Sequence, residues 1–334
     1  MKLLSLLLLF GLVQSAFAEI DPAQLTPEKI RKSIIPYLTI VEKNETHLKK
    51  EKEKIDLGRV LFFDKRLSGQ GNISCNSCHD LKNYGTNGSH YKKQREEEKT
   101  FRDVPSIYNL AKFTLFNWDG GLKTLESQTA AALKNEYEMN SSDPKEIVTK
   151  LKAVPAYEDL FKKAFPDSKE SISVENIVTA LTEFQKGLVT VAPIDLFLKG
   201  DNKALTEKQL KGAYLFDEKS CFACHTGGSF GGQMIIKLGI AEPWPNQKDQ
   251  GHYNLTKDPK HKMTFRVSPL RNIEKTAPYF HDASEKRMWS AIRKMSHYEL
   301  GQYMSVDEIL AIQEFFKSLT GKLPEKYIET PKVP

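Results

Sequence analysis

Apolar residues recur at helical spacing in two long segments, one in each half of the chain. The segments are SVENIVTALTEFQKGL, which starts at Ser173, and SVDEILAIQEFFKSLTG, which starts at Ser305. Their apolar positions, which share one helical face in each segment, are Ile177, Ala180, Leu181 and Phe184, and Ile309, Ile312, Phe316 and Leu319. The second segment opens with a capping box, Ser305 to Glu308, and ends at a glycine, Gly321. Because strand-like alternation is scarce, the pattern predicts a mostly α protein.

These two helices close the two halves of an internal repeat. GRVLFFD (58–64) corresponds to GAYLFDE (212–218), and RDVPSIYN (102–109) corresponds to RVSPLRN (266–272). Helical periodicity breaks near residues 191–202, at Pro193 and a Gly-Asp-Asn turn. We therefore predict an N-terminal domain over 19–192, a C-terminal domain over 193–322 and a tail over 323–334 that extends across the surface. Residues 227–262, rich in Gly, Pro, Lys and Asp, are predicted to form long loops.

The first 18 residues have the pattern of an export signal. Lys2 precedes a short apolar run over 3–13, and Ala16-Phe17-Ala18 matches a small-residue cleavage site. We expect cleavage after Ala18 and delivery to a bacterial periplasm. The apolar run is too short to span a bilayer and no other stretch is longer, so the sequence predicts no membrane span.

The net charge of the 334-residue chain is +6 at pH 7. The excess of cations is spread along the whole sequence, which is typical of a solvated, lysine-rich surface. Such a surface has a weak preference for acidic partners. No basic cluster indicates binding to nucleic acid, so we expect none.

All four cysteines lie in two C-x-x-C-H motifs. Cys75, Cys78 and His79 form CNSCH, and CFACH occupies 221–225, with Cys221, Cys224 and His225. This spacing is typical of covalent attachment of a c-type haem, with the histidine as an axial ligand of the iron. A thioredoxin-like redox pair and half of a zinc site are the alternatives. Two copies behind an export signal favour haem, so we predict two cytochrome c-like domains, each enclosing one covalently bound c-type haem.

The repeat indicates that the two haems have different axial ligands. If His281 in YFHDAS is aligned with Trp118 in FNWDGG, Met295 lies fourteen residues beyond the first and Ala132 fourteen beyond the second. A methionine thioether raises the haem potential and closes the iron to substrate. We therefore predict a closed electron-transfer haem with His225 and Met295, and an open haem in the N-terminal half. The alternative for Met295 is ordinary core packing.

The N-terminal half offers LESQTAAALKNEYEMN (125–140) in place of the thioether. Its alanines would leave room over a haem face, and the Gln128 amide could hold a bound peroxide by hydrogen bonds. A carboxylate in an apolar pocket, such as Glu138, can move a proton near neutral pH. The alternative is that Gln128 and Glu138 are solvated helix positions.

These residues together resemble the bacterial di-haem cytochrome c peroxidases. The resemblance runs from about Ile55 to Gly321 and includes LFFDKRLSGQGNISCNSCH, the WDG at 118–120, EMN, DLFLKGDNKAL and LRNIEKTAPYFH. It implies that peroxide reacts at the N-terminal haem and that electrons arrive at the C-terminal haem. It also implies that Glu138 is the acid–base, that Gln128 orders the distal pocket and that Trp118 lies between the haems.

The resemblance further implies a calcium ion between the domains. Asp103 stands where the family usually has an asparagine ligand, and Thr276 and Pro278 match residues that contribute backbone carbonyls. A carboxylate is a good ligand for calcium, so this departure should be tolerated. The family often carries a second histidine that caps the resting peroxidatic iron. Here the candidate is His90, eleven residues after His79; the alternative is an exposed loop histidine.

The resemblance implies an enzyme that reduces hydrogen peroxide to water. Electrons would come from a small periplasmic protein, either a monohaem cytochrome c or a cupredoxin, and the enzyme would be a homodimer. One alternative is a non-catalytic di-haem electron carrier, against which the missing thioether at Ala132 speaks. The other is an enzyme of the MauG group that oxidises residues of a partner protein. That group has tyrosine where this chain has Met295.

Overall fold

The structure is a computed structural model that describes residues 21–88, 102–140 and 143–334. It is mostly helical, as the apolar periodicity predicted. The helices are α1 (Pro27–Ile34), α2 (Glu45–Lys50), α3 (Lys52–Phe63), α4 (Cys75–Cys78), α5 (Leu125–Lys134), α6 (Pro144–Lys152), α7 (Pro155–Ala164), α8 (Val174–Lys186), α9 (Pro193–Leu198), α10 (Glu207–Glu218), α11 (Tyr253–Thr256), α12 (Met288–Leu300), α13 (Val306–Lys317) and α14 (Glu325–Ile328). The strands are β1 (Ile235–Lys237) and β2 (Thr264–Arg266), antiparallel, with Ile236 opposite Phe265.

The internal repeat is present as two equivalent helix pairs. In the first half α3 packs against α8, and in the second α10 packs against α13. The predicted apolar faces of α8 and α13 are buried, and the capping box of Ser305 and Glu308 is formed. Within each pair the two helices lie closest at a glycine, which is Gly58 in α3 and Gly212 in α10. A Cβ at Gly58 would overlap the carbonyl oxygen of Ala180, and one at Gly212 would overlap that of Ala311.

Replacing Gly212 with alanine should therefore destabilise the second half. The added methyl group meets backbone rather than a flexible side chain, so the helices must move apart. We expect a loss of about 1–3 kcal/mol in the free energy of unfolding, measured by chemical denaturation. Lys211→Ala, on the exposed side of the same helix, should change it by less than about 0.5 kcal/mol. Equal stability of Gly212→Ala and the parent protein would contradict the close approach.

The described residues form two large hydrophobic cores and a small cluster of Trp244, Met263 and Phe265, and membership of the large cores changes between Leu188 and Ala192. The first core contains the α3–α8 pair, and the second contains the α10–α13 pair. The terminal segments do not follow this order. α1 buries Ile30 and Ile34 in the second core, although it precedes the first half in sequence. The two halves are therefore held together by packing of the N-terminal segment as well as by their interface.

The C-terminal tail packs in the first core, although it follows the second half in sequence. Tyr327 of α14 is buried in the first core, with its ring 5.9 Å from that of Phe184. Arg66 donates to the carbonyl oxygen of Pro334 at 2.6 Å. The prediction of an extended surface tail is therefore wrong at α14, because burial of Tyr327 against α8 orders a segment too short to show helical periodicity.

In the described part of the chain, no helix combines the length and the apolar composition needed to cross a bilayer. The predicted export signal, residues 1–18, lies outside the described residues.

Candidate haem sites

The first C-x-x-C-H motif forms a single helical turn with a fixed histidine. Ser74 and Ser77 make a capping box at the start of α4. His79 follows, and its Nδ1 lies 3.1 Å from the carbonyl oxygens of both Gly85 and Pro105. Burial lowers the pKa of His79 despite these hydrogen bonds. The ring is therefore neutral at neutral pH, and Nε2 is left with the lone pair that an iron ligand needs.

The second motif repeats this arrangement. Cys221 begins a short 3₁₀ turn, and Nδ1 of His225 lies 3.1 Å from the carbonyl oxygen of Phe230. The backbone of Ser268 also hydrogen-bonds His225, and burial again lowers the pKa of the ring. Ser268 precedes Pro269, the proline that the repeat pairs with Pro105. The same loop thus orients the proximal histidine in both halves.

The cysteine thiols do not have the properties of a redox pair. Burial, reinforced by the neighbouring cysteine of each motif, raises the pKa of Cys75 and of Cys221 to about 12. A reactive dithiol needs a lowered pKa instead. No disulfide joins the four cysteines. Among residues 21–88, 102–140 and 143–334, no group of three His, Cys, Asp or Glu side chains could hold a metal ion.

A large, mostly apolar cavity in the second half fits a c-type haem. Cys221, Cys224 and His225 line one part of it, and aromatic and aliphatic side chains such as Phe216 and Ile312 line its walls. Three methionines also line this cavity, namely Met288, Met295 and Met304. The residues therefore supply thiols for attachment, an imidazole and a thioether, which is the donor set of a six-coordinate c-type haem.

Trp118 lies where the two halves meet. Its side chain borders the cavity of the second half, and its indole Nε1 donates to the carbonyl oxygen of Asp103 at 2.8 Å. Its own carbonyl oxygen accepts from the amide of Arg266 at 2.7 Å. The ring centroid lies 6.4 Å from that of His281, the residue that the repeat aligns with it. Trp118 is thus fixed by hydrogen bonds from both halves.

Gln128 and Glu138 lie on and just after α5, which packs against α8. Gln128 is half-buried, whereas Glu138 is exposed and accepts a hydrogen bond from the Asn135 amide at 2.8 Å. The charge of Glu138 contributes to the raised pKa of Cys75, which shows that the carboxylate lies near the first attachment site. The polypeptide alone does not enclose Glu138, so its position in an apolar pocket stays a prediction.

The three residues predicted to bind calcium line one cavity, which is the same one that reaches Trp118. They are Asp103, Thr276 and Pro278. The structure adds Asn87, whose Oδ1 is buried and has no hydrogen-bond partner among the residues that the structure describes. Gly88, the residue after Asn87, lies beside the segment from Thr276 to Pro278, because a Cβ at Gly88 would be 3.9 Å from the carbonyl oxygen of Ala277. A buried amide oxygen without a donor is a good candidate ligand for a hard cation.

An ion-pair network that the sequence did not indicate ties Trp118 to the second half. Arg102 binds Asp119, the residue after Trp118, and also binds Asp249 with Nε 2.7 Å from Oδ2. Burial alone would raise the pKa of Asp249, but the Arg102 guanidinium outweighs it, so the pKa of that carboxyl is lowered. His252 adds a contact, since its Nδ1 lies 2.8 Å from the carbonyl oxygen of Asp119.

Neither Asn87 nor Arg102 carries a sequence signal that separates it from other loop residues. Arg102 belongs to the repeated RDVP segment, but its partner Asp249 lies 147 residues away along the chain. The pair could therefore be found only from the structure. His90 lies outside the described residues, so its role as a ligand of the resting iron stays a prediction.

The family model for di-haem cytochrome c peroxidases matches residues 52–203. A cytochrome c551 peroxidase of Pseudomonas aeruginosa is 35% identical over 285 residues, 84% of this chain and 81% of the relative. The methylamine utilization protein MauG of Methylophilus methylotrophus is 32% identical over 74% of this chain and 72% of the relative. The crystal structure of a MauG-like protein associated with microbial copper homeostasis has a TM-score of 0.70, with 29% identity over 85% of this chain and 93% of that one.

The helix pairs, the paired C-x-x-C-H motifs and the fixed histidines define a di-haem c-type protein with one haem site in each half. Its relatives over most of the chain are peroxidases and MauG proteins. The chain belongs to the di-haem cytochrome c peroxidase family, and it is an enzyme of the cytochrome-c peroxidase class.

Proposed function

We propose that this enzyme reduces hydrogen peroxide at the N-terminal haem with electrons that enter at the C-terminal haem. The overall reaction consumes one peroxide, two protons and two electrons and yields two waters. The observation that carries the proposal is the asymmetry of the two halves. Met295 lines the cavity around His225, whereas the equivalent position in the first half is Ala132 on α5.

The residues of the first half are suited to handling the protons of this reaction. When bound, the N-terminal haem would supply the iron at which peroxide is reduced. Glu138 would take a proton from one oxygen of hydrogen peroxide and deliver it to the other, which leaves as water. Gln128 would donate its amide hydrogens to the bound peroxide and orient it. The nearness of Glu138 to Cys75 supports this assignment.

Electrons would pass between the halves through Trp118. In support, the indole borders the cavity of the second half while its backbone belongs to the first. The hydrogen bond from the indole Nε1 to the Asp103 carbonyl oxygen fixes the ring, and the Arg266 amide holds the Trp118 backbone carbonyl. The ion pairs of Arg102 hold the adjacent residue, Asp119, against the second half. A rigid contact of this kind would keep the transfer distance constant.

The donor would be a small redox protein of the periplasm, either a monohaem cytochrome c or a cupredoxin. The name of the Pseudomonas aeruginosa relative, cytochrome c551 peroxidase, supports a cytochrome. The signal-like residues 1–18 support export. A MauG-type reaction on a partner protein is the second candidate because MauG proteins are relatives. Met295 favours the peroxidase, since the MauG group has tyrosine there. The homodimer stays a prediction.

The test is peroxide-dependent oxidation of a reduced donor by the exported protein. Its intact mass should equal the mature chain plus two haems. Each peroxide consumed should oxidise two molecules of reduced monohaem cytochrome c. A protein that carries both haems but oxidises no donor with peroxide would be an electron carrier instead.

We also propose a calcium ion between the halves, held by the Asp103 carboxylate, the Asn87 amide oxygen and the backbone carbonyls of Thr276 and Pro278. Asp103 and the two carbonyl residues line one cavity, and the orphaned Asn87 oxygen lies in the neighbouring segment. Oxygen ligands of mixed type are what calcium prefers. Because the ligands come from both halves, the ion would stabilise the interface around Trp118.

Asp103→Ala and Asn87→Ala should each weaken calcium binding to the haem-loaded protein. We expect a loss of about tenfold or more in affinity, measured by isothermal titration calorimetry, because each variant removes one oxygen ligand. Asp307→Ala, which removes an exposed carboxylate on α13, is the control and should bind calcium like the parent protein. If Asn87→Ala also binds normally, Asn87 is not a ligand.

A further inference from the structure

The outer surface of α12 and of the residues that flank it combines basic and aromatic side chains. We call it the basic-aromatic face and define it by Lys286, Arg287, Trp289, Arg293, His297 and Tyr303. Trp289 is 37% exposed and lies between two guanidinium groups, with Arg287 at 5.0 Å and Arg293 at 5.6 Å from its rings. Tyr303 is 86% exposed, and its ring centroid lies 5.1 Å from that of His297.

The cations of this face are not neutralised by the protein itself. Within residues 21–88, 102–140 and 143–334, no carboxylate forms a salt bridge with Lys286, Arg287 or Arg293. Lys294, the next cation on the helix, is instead paired with Glu285 at 3.1 Å. Trp, Tyr and Arg are the residues that most often dominate binding energy at protein interfaces. Unpaired cations around an exposed indole are therefore suited to an acidic protein surface.

The opposite side of the same helix faces the C-terminal haem cavity. Met288, Ile292 and Met295 line that cavity, whereas Trp289 and Arg293 point away from it. An α-helix with its side chains is about 10–12 Å across. A protein bound to the basic-aromatic face is thus separated from Met295 by the width of one helix.

We propose that the basic-aromatic face is the docking surface for the electron donor and that this donor is acidic. The inference rests on the proposed function and adds to it the charge of the donor and its place of binding. Arg287, Arg293 and Lys286 would steer the acidic donor by long-range attraction. Trp289 would form the apolar contact at the centre of the bound complex.

The experiment compares two charge-reversed double variants in the holoenzyme. Arg287→Glu/Arg293→Glu alters the basic-aromatic face, and Lys208→Glu/Lys211→Glu makes the same change of net charge on the exposed side of α10. Turnover of peroxide is measured with three donors: a reduced acidic cupredoxin, a reduced basic monohaem cytochrome c, and hydroquinone, which is small and uncharged. The two protein donors are assayed at 10 mM and 200 mM salt.

The arginine variant should lower kcat/KM for the acidic cupredoxin by about tenfold or more at low salt, and the loss should shrink at high salt. The lysine variant should stay within about threefold, and hydroquinone turnover should be the same in all proteins. Trp289→Ala should raise KM for the cupredoxin at both salt concentrations, because an apolar contact is not screened. Equal losses in both double variants, or a parent enzyme that prefers the basic cytochrome, would overturn the proposal. Absence of peroxide turnover with all three donors in the parent protein would count against the proposed function instead.

Discussion

Glu138→Gln is expected to lower peroxide turnover by about 10²–10⁴-fold while both haems stay attached. Glutamine keeps the size of the side chain and its hydrogen bond with Asn135, but it cannot accept and return a proton. The charge of Glu138 helps to raise the pKa of Cys75, and this supports its assignment to the first haem site. Steady-state peroxide consumption with saturating reduced donor is the measurement.

Glu136→Gln is the matched control, since it removes another exposed carboxylate two residues away. It should retain turnover within about threefold of the parent enzyme. Such a loss is well below the loss expected when a catalytic acid–base is removed. The visible spectra of both variants should show two haems per chain. If Glu138→Gln also stays within this limit, Glu138 is a solvated side chain and another group moves the proton.

Met295→His is expected to lower the reduction potential of the C-terminal haem, because a thioether favours ferrous iron relative to an imidazole. Axial ligands span about 0.8 V in haem proteins, so a shift on the order of 100 mV or more is expected. Turnover with the protein donor should fall as well, since electrons would enter less readily. Potentiometric titration of the purified protein gives the potential of each haem separately.

Met304→Leu is the control for this assignment. Met304 lines the same cavity as Met295 and lies nine residues beyond it, so position in the cavity alone does not distinguish the two thioethers. The leucine variant should keep the high potential. If Met295→His keeps the high potential and Met304→Leu loses it, Met304 is the axial ligand and Met295 is not.

Much of the fold could be predicted from the chain because its signals are local. The apolar faces of α8 and α13 and the capping box at Ser305 depend on residues within a few turns of each other, and all are present. The course of the termini could not be predicted. Tyr327 and Ile30 lie in short segments that bury only one or two side chains, and the core in which each is buried depends on packing across the whole molecule.

In the haem motifs, too, some features could be predicted from the sequence and others could not. C-x-x-C-H names Cys75, Cys78 and His79 directly, since attachment and axial ligation need that short spacing. The carbonyls that fix the imidazole could not be read from spacing. Pro105 lies 26 residues from His79, and its contact depends on the fold of the intervening loop.

By itself, the sequence determined two covalent haem motifs, the helical repeat around them and the difference between Met295 and Ala132. These are properties of residue type and of short spacing, which the chain retains however it folds. Only the tertiary structure decided which loops meet between the halves. It brought Arg102 to Asp249 and Trp118 beside His281. Contacts between distant residues form when burial of apolar surface outweighs the entropy of closing long loops, and no short pattern in the chain records that balance.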